Sequence, residues 1–153
     1  MSDQLVRSLL AGIGLPHGAD NPRLIETHIS WIVLVGDFAY KLKKPVNLDF
    51  VDFSSLEYRR HCCEEEVRLN RRTAPGIYLD VVPISGVPEE PRPGDASDPF
   101  EYAVRMRRFD PANTLDHLAQ RGELTGELVM SLAHNIAGFH ATAERVAVAA
   151  PHG

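Results

Sequence analysis

The feature that most limits the fold is an apolar run that reverses direction at a Gly-Asp turn. The run "ETHISWIVLVG" (residues 26–36) is rich in β-branched and aromatic side chains, which favour a strand. Gly36-Asp37 is a turn signal, and "FAYKLKKPV" (residues 38–46) follows as the returning strand, which Pro45 ends. The segment therefore predicts an antiparallel β-hairpin.

The returning strand carries three lysines in four positions. Because side chains alternate between the two faces of a strand, Lys41 and Lys43 share one face. The two faces comprise Ala39, Lys41 and Lys43 on one side and Phe38, Tyr40, Leu42 and Lys44 on the other. If the second, more apolar face packs on the core, the first lines a cleft or faces solvent. Lys44 precedes Pro45 at the strand end and is the least constrained of the three lysines.

Turn residues and hydrophobic periodicity divide the rest of the chain into helices, strands and loops. Helices are predicted over residues 3–11, 56–72, 114–121 and 124–146, and strands over residues 77–85 and 100–109. Ser54 or Ser55 is the expected N-cap of the second helix, and Asn113 that of the third. Residues 47–55 are expected to form a connection, and residues 86–99 a Pro-rich acidic loop without core-forming residues. Strands come mainly first and helices last, an order typical of an α+β fold.

Composition argues against several functional classes. The net charge of -5 disfavours broad binding of nucleic acid, which requires a basic surface. No apolar run approaches the roughly 20 residues that cross a bilayer, and the opening "MSDQLVRSLLAGIG" predicts an amphipathic helix rather than a signal peptide. Cys62 and Cys63 are adjacent, so neither a structural disulfide nor a zinc site is expected from them. These features predict a cytoplasmic chain without nucleic-acid or membrane partners.

The second predicted helix places a carboxylate on its apolar face. The apolar positions are Tyr58, Cys62, Cys63, Val67 and Leu69. At 3.6 residues per turn, Arg59, Glu66 and Asn70 fall among them, with Glu66 near the middle. A buried carboxylate is costly unless it is paired and hydrogen-bonded. Glu66 therefore predicts a cation that faces it, and the hairpin lysines are the nearest supply. The alternatives are that Glu66 pairs with Arg59 or reaches solvent.

The hairpin and this helix together resemble protein kinases. These enzymes carry V-A-I-K on their third strand, and a glutamate of the following helix pairs with that lysine. Here "FAYK" (residues 38–41) has Ala and Lys at the same relative spacing, and the following helix supplies Glu66. Residues 20–142 also resemble the aminoglycoside phosphotransferase-like, kinase-fold domain of bacterial proteins, which is often fused to a P-loop ATP-binding domain. The series that carries this likeness runs from "ETHISWIVLVGDFAYKLKKPVNLDF" through "EYAVRMRRF" to "GELT" and "FH".

This resemblance implies both a fold and a nucleotide site. Residues 1–109 would form a kinase-like N-terminal lobe, and residues 110–153 the first helices of an incomplete C-terminal lobe. Lys41 would bind the α- and β-phosphates of ATP, with Glu66 as its helix partner. The site would be completed by Ala39 against the adenine ring and by backbone near Met106 to Arg108 at the adenine edge.

From the residues alone, other assignments stay open. Lys41 would otherwise be a solvated strand lysine, or Lys43 would be the lysine of the pocket. The remaining candidates are interpreted as surface, salt-bridged or structural side chains: Arg105, Arg107, Arg108, His134 and His140.

The sequence departs from the family in its phosphate loop and its catalytic loop. A G-x-G-x-x-G loop is absent before Lys41, and "GIGLPHG" (residues 12–18) comes too early to supply one. The catalytic Asp and the Mg²⁺ ligands of the family lie beyond the long helix, in an "HGDxHxxN"-like loop and a later Asp. This sequence reaches only "APHG" (residues 150–153), so no catalytic residue and no metal ligand is expected within it.

The expected function is the N-terminal portion of an ATP-dependent phosphotransferase that acts on a small-molecule hydroxyl, inactive alone. The alternative is a non-catalytic module that binds nucleotide or protein and partners a separate P-loop ATPase domain. The expected partners are thus a nucleotide and either that domain or the missing lobe. Leu128, Leu132, Ile136 and Phe139 recur at helical spacing, and an exposed face there would favour self-association.

Overall fold

The computed structural model describes residues 2–15 and 22–145 of the chain. The chain divides into two compact units, Met1–Phe109 and Asp110–Gly153. In the described residues, the first unit combines helices with an antiparallel sheet and the second is helical, so the predicted α+β class is confirmed. Residues 16–18 of the early glycine-rich segment and the final "APHG" lie outside the described residues.

The first unit is built around one sheet. Its elements are α1 Ser2–Leu10, β1 Arg23–Glu26, β2 Ser30–Val35, β3 Phe38–Lys43, β4 Asn47–Leu48, β5 Val51–Asp52, α2 Leu56–Asn70, β6 Tyr78–Val87, β7 Glu90–Pro93 and β8 Glu101–Arg107. Six strands form the sheet in the order β1-β2-β3-β8-β6-β7, and every neighbouring pair is antiparallel. This order brings β3 and β8, which are distant in sequence, side by side at the centre.

The β2–β3 hairpin forms where the sequence predicts it. Gly36 and Asp37 make the turn between the strands, and Gly36 has a φ of 52°, in the left-handed region that glycine enters without steric cost. The register places Lys41 opposite Ile32 of β2 and, on its other side, opposite Val104 of β8. The hairpin prediction is confirmed, and its second strand is an inner strand of the sheet.

Helices cover both faces of the sheet. α1 buries Leu5 and Leu9 in the cluster that also contains Tyr40 and Leu42 of β3. This is the apolar β3 face that alternation predicts for the core. α2 lies against β6 and β8 on the other face, where Val104 joins a second cluster. The face of β3 that carries Lys41 and Lys43 is therefore on the same side of the sheet as α2.

The strand predicted over residues 26–36 is shorter in the structure, because its first residue, Glu26, is the last residue of β1 and the remaining strand is β2. β1 ends at Glu26 and β2 begins at Ser30, so a tight turn interrupts the run. Thr27 accounts for this turn, because its amide donates to the Ser30 carbonyl and its hydroxyl accepts from the Ser30 amide. A threonine side chain that bonds to nearby backbone competes with the regular ladder, an effect that strand propensity does not register.

Two segments predicted as loops also contain strands. Residues 86–99 include β7, and Pro91 within it is fully buried, so the prediction of a loop without core residues is wrong. β7 lies at the edge of the sheet, where proline is tolerated because its missing N–H leaves no ladder bond unmade. The connection at residues 47–55 contains β4 and β5, which pair with each other.

The second unit is helical in its described residues. After a 3₁₀ turn at Pro111–Asn113, α3 spans Leu115–Gln120 and α4 spans Gly126–Thr142. Thr114, not the predicted Asn113, is the N-cap residue of α3, because Asn113 already belongs to the 3₁₀ turn. Thr125 caps α4 by accepting a hydrogen bond from the Leu128 amide. Among the described residues, no helix is long and apolar enough to cross a membrane.

Three of the four apolar side chains that recur along α4 are exposed and Phe139 is half-buried, which predicts self-association. Leu128, Leu132 and Ile136 are 40%, 41% and 45% exposed. An apolar face of this kind favours association in water. We expect gel filtration at high concentration to show a species larger than a monomer, and the double variant Leu132→Glu, Ile136→Glu to shift elution towards the monomer. Elution of the unaltered chain as a clean monomer at high concentration would contradict this prediction.

Candidate functional site

α2 begins at a serine cap that the sequence predicts. The Ser55 hydroxyl accepts a hydrogen bond from the Tyr58 amide, so Ser55 rather than Ser54 is the N-cap residue. This bond satisfies one of the amides that the first turn of a helix leaves without a partner. The helix that follows presents one defined face to the sheet.

The buried face of α2 is richer in charge than its apolar pattern indicates. Its buried residues are Arg59, Cys63 and Val67, spaced four residues apart along one side. Tyr58 and Leu69, which the sequence assigns to the apolar face, are 44% and 39% exposed. Charged side chains occupy the buried face because partners on the sheet neutralise them, and apolar periodicity does not reveal such partners.

Two lysines of β3 meet the carboxylate of Glu66. Lys41 Nζ lies 2.7 Å from Glu66 Oε1, and Lys43 Nζ lies 2.7 Å from Glu66 Oε2. The predicted contact between Lys41 and Glu66 is therefore present, and Glu66 neither pairs with Arg59 nor points into solvent. The sequence did not show that both lysines bind the same carboxylate.

Glu66 is held in its ionised form. Burial is the strongest single influence and by itself raises the pKa of Glu66, but the hydrogen bonds and charges of Lys41 and Lys43 together outweigh it and lower that pKa below its ordinary value. The side chain of Lys41 is 27% exposed, whereas that of Lys43 is 7% exposed. Two ammonium groups on one carboxylate leave the cluster with a net positive charge. An anion that approached Lys41 would meet a cation whose charge is not fully balanced.

Ala39 and Met106, the residues predicted to meet adenine, lie opposite each other on β3 and β8. Both share the sheet face of Lys41, since alternate residues of a strand point the same way. Ala39 is buried, and Met106 packs against the cluster around Cys63. The structure thus brings Ala39, Lys41, Glu66 and Met106 to one side of the sheet, while a role with adenine stays a prediction.

The backbone that follows Met106 is already hydrogen-bonded within the protein. The Arg107 amide donates to the Ile77 carbonyl at 2.8 Å, and the Arg108 amide donates to the Asp37 carbonyl at 2.8 Å. An adenine ring bound in this region would have to form hydrogen bonds with backbone groups other than these two amides.

A second buried ion pair joins α2 to the sheet. Arg59 Nε lies 3.0 Å and 3.2 Å from the two oxygens of Glu101, and Arg59 Nη1 donates to the carbonyls of Phe53 and Ser54. The two charged side chains are 7% and 5% exposed. Burial raises the pKa of the Glu101 carboxyl, against the opposing influence of Arg59 and of the Tyr102 amide. Sequence analysis missed this pair, although Arg59 on an apolar helix face was a signal that some partner existed.

Ser30 adds an unsatisfied polar group beside the lysines. It lies opposite Lys43 in the β2–β3 register and is 1% exposed. Its hydroxyl has no hydrogen-bond partner among the described residues. Buried hydroxyls are normally hydrogen-bonded, so the Ser30 hydroxyl is an exception close to Lys43. The sequence gives no signal for it, because a serine at the start of a strand is ordinary.

Two of the other charged candidates, Arg105 and His134, make contacts within the protein. Arg105 makes two hydrogen bonds to Asp80, and the pair lines a cavity of about 260 Å³ on the sheet face opposite Lys41. His134 Nδ1 lies 2.9 Å from the Met130 carbonyl oxygen within α4. Both findings agree with the interpretation of these residues as salt-bridged or surface side chains.

The remaining groups with possible chemical roles are the buried thiol of Cys63 and the side chains that could bind a metal ion. Burial raises the pKa of the Cys63 thiol to about 12, so it stays protonated at neutral pH and is a poor nucleophile. Within residues 2–15 and 22–145, no group of His, Cys, Asp or Glu side chains is arranged to hold a metal ion.

Three curated proteins are similar to this chain. They are uncharacterized proteins of Mycobacterium bovis and of two strains of Mycobacterium tuberculosis, each 37% identical over 120 residues. The match covers 78% of this chain and 22% of each relative, so the chain spans about a fifth of the length of the curated relatives it matches. No family model matches the chain, and no solved structure matches it.

Proposed function

We propose that this chain binds the phosphates of ATP as part of a kinase-like phosphotransferase. The observation that carries the proposal is the distance of 2.7 Å between Lys41 Nζ and Glu66 Oε1. In protein kinases the phosphate-binding lysine lies on the third strand, and its glutamate partner lies on the helix that follows. Lys41 lies on β3, and Glu66 lies on α2, the next helix along the chain.

Exposure favours Lys41 over Lys43 as the phosphate ligand. Both ammonium groups contact Glu66, but the Lys41 side chain is the more exposed of the two. A phosphate is strongly hydrated and must reach its ligand from solvent, so the open side of the cluster is the side it would meet. The net positive charge of the cluster would then be balanced by the phosphate.

Phosphoryl transfer needs more than a lysine that binds phosphate. The reaction requires a residue that orients the acceptor hydroxyl and oxygen ligands for Mg²⁺. The described residues hold no cluster that fits Mg²⁺, so no metal-dependent step is assigned to them. In this proposal those groups, and the pocket for a small-molecule hydroxyl, come from additional sequence, such as the relatives have outside the matched region.

A second candidate is a non-catalytic module that partners a separate P-loop ATPase domain. The exposed apolar face of α4 favours it, since such faces commonly mediate association. The module would bind a nucleotide or a protein, and it differs from the first candidate in performing no phosphoryl transfer. A form of the protein with the relatives' additional sequence that phosphorylates an added alcohol would exclude the non-catalytic module.

Calorimetric titration with ATP tests the phosphate site. We expect Lys41→Ala to weaken ATP binding by about tenfold or more, because a hydrogen bond to a charged group contributes about 1.5–3 kcal/mol. Lys44→Ala is the matched control: it removes the same charge three residues away, where Lys44 pairs with the exposed Glu26. The control is expected to bind ATP as the unaltered chain does. Full affinity in Lys41→Ala would remove Lys41 from the site.

A further inference from the structure

The proposed function uses one lysine, yet the structure places two on the same carboxylate. Each oxygen of Glu66 has its own ammonium partner, at 2.7 Å in both cases. A kinase-type pair needs one lysine and one glutamate. The second lysine therefore has a function that the one-lysine arrangement does not explain.

The surroundings of Lys43 are those of a fixed side chain. Its side chain is 7% exposed, and its Nζ lies 5.3 Å from the centre of the Phe53 ring, within range of a cation–π contact. The Lys41 side chain is 27% exposed on the same face. One ammonium group is thus enclosed by protein, while the other is accessible from solvent.

We propose that Lys43 is a positioning residue that keeps Glu66 in place while Lys41 binds a nucleotide phosphate as well as Glu66. The inference rests on the proposed function of Lys41. If Lys41 were the only partner of Glu66, a phosphate bound to Lys41 would compete for the one cation that faces a largely buried carboxylate, which is unfavourable. With Lys43 in place, Glu66 keeps one cation, and α2 keeps its link to β3 throughout binding.

The composition of the chain makes a direct test practical. Its three lysines all fall within residues 41–44, so a ¹⁵N-lysine-labelled sample gives three side-chain ammonium signals. The variants Lys41→Arg, Lys43→Arg and Lys44→Arg assign them one by one. On addition of ATP to the unaltered chain, we expect the Lys41 signal to shift and the Lys43 signal to stay in place with slow proton exchange. A larger shift at Lys43 than at Lys41 would overturn the inference, and Lys44 serves as the internal control.

Binding measurements add a second test. Lys43→Met is expected to weaken ATP binding about tenfold although Lys41 is intact, and Lys43→Arg is expected to restore it because arginine keeps the charge. A purely structural role would lower stability in Lys43→Met without this loss of affinity in the folded fraction. Unchanged affinity in folded Lys43→Met would contradict the positioning role. If that variant does not fold, the ammonium signals of the unaltered chain decide.

A measurement without nucleotide separates this inference from the proposed function. Among the described residues, the titratable groups that interact electrostatically with Glu66 include Lys41 and Lys43 from β3, Tyr78 from β6, and Cys63 from its own helix. Carboxyl ¹³C titration is expected to find a lower pKa of Glu66 in Lys41→Met than in the double variant Lys41→Met, Lys43→Met, since Lys43 lowers that pKa. Equal pKa values in the two variants would show that Lys43 does not hold Glu66. Absence of ATP binding by the unaltered chain would instead refute the proposed function, whatever this titration shows.

Discussion

Arg59→Ala is expected to lower the free energy of unfolding by about 3–5 kcal/mol, the usual cost of removing one member of a buried ion pair. The reason is that Glu101, which is 4% exposed, would lose the guanidinium that faces it. Its carboxyl must then either stay charged without a partner or take up a proton, and both cost free energy at neutral pH. The carbonyls of Phe53 and Ser54 would also lose their donor. Because whole domains are stable by only about 5–15 kcal/mol, this loss should be plain in urea unfolding followed by circular dichroism.

Two controls separate this pair from a general effect of mutation. Arg60→Ala changes the adjacent residue of the same helix, which is exposed and pairs with Glu64, and is expected to have little effect. The double variant Arg59→Met, Glu101→Leu is expected to recover most of the stability, because apolar side chains of similar size often replace a buried ion pair at little cost. A double variant as unstable as Arg59→Ala would show that the lost carbonyl bonds, and not the unpaired carboxylate, dominate.

Two local rules indicate that the lysines of β3 face Glu66, and the likeness of "FAYK" to the kinase V-A-I-K pattern selects Lys41 among them. Strand alternation separates Lys41 and Lys43 from Lys44, and the helix period places Glu66 on the face that needs a cation. Neither rule requires knowledge of the sheet order. Alternation gives Lys41 and Lys43 the same face, however, and so could not show that both would bind one carboxylate.

The pair of Arg59 and Glu101 could not be found in this way, because it depends on long-range pairing. Glu101 begins β8, and it meets α2 only because β8 inserts between β3 and β6 in the sheet. The same limit explains β7, whose proline-rich sequence predicts a loop until its edge position is known. Local sequence patterns predicted the central hairpin and α2, whereas the order of the strands in the sheet determines which buried charged side chains pair.

Glu66→Gln is expected to cost about 3 kcal/mol of unfolding free energy at neutral pH, and this cost should shrink in acid. The neutral amide leaves Lys43 enclosed without a counter-charge. Since the pKa of Glu66 is lowered in the folded chain, its contribution to stability is fully present above the ordinary carboxyl pKa. That contribution is lost as the pH falls through the lowered pKa. Unfolding curves of both chains from neutral pH down into this acid range measure the difference.

The difference between the two chains, not either curve alone, isolates Glu66. The raised pKa of Glu101 acts with the opposite sign, because the folded chain then holds that proton more tightly and loses stability as the pH rises from the unfolded to the folded pKa. Both chains contain Glu101, so its effect cancels. Glu65→Gln, at an exposed neighbour that pairs with Arg68, is the matched control and is expected to change stability little. A gap between the unaltered chain and Glu66→Gln that stayed constant down to strongly acidic pH would mean that the glutamate acts through its shape, and that its charge does not hold α2 to the lysines of β3.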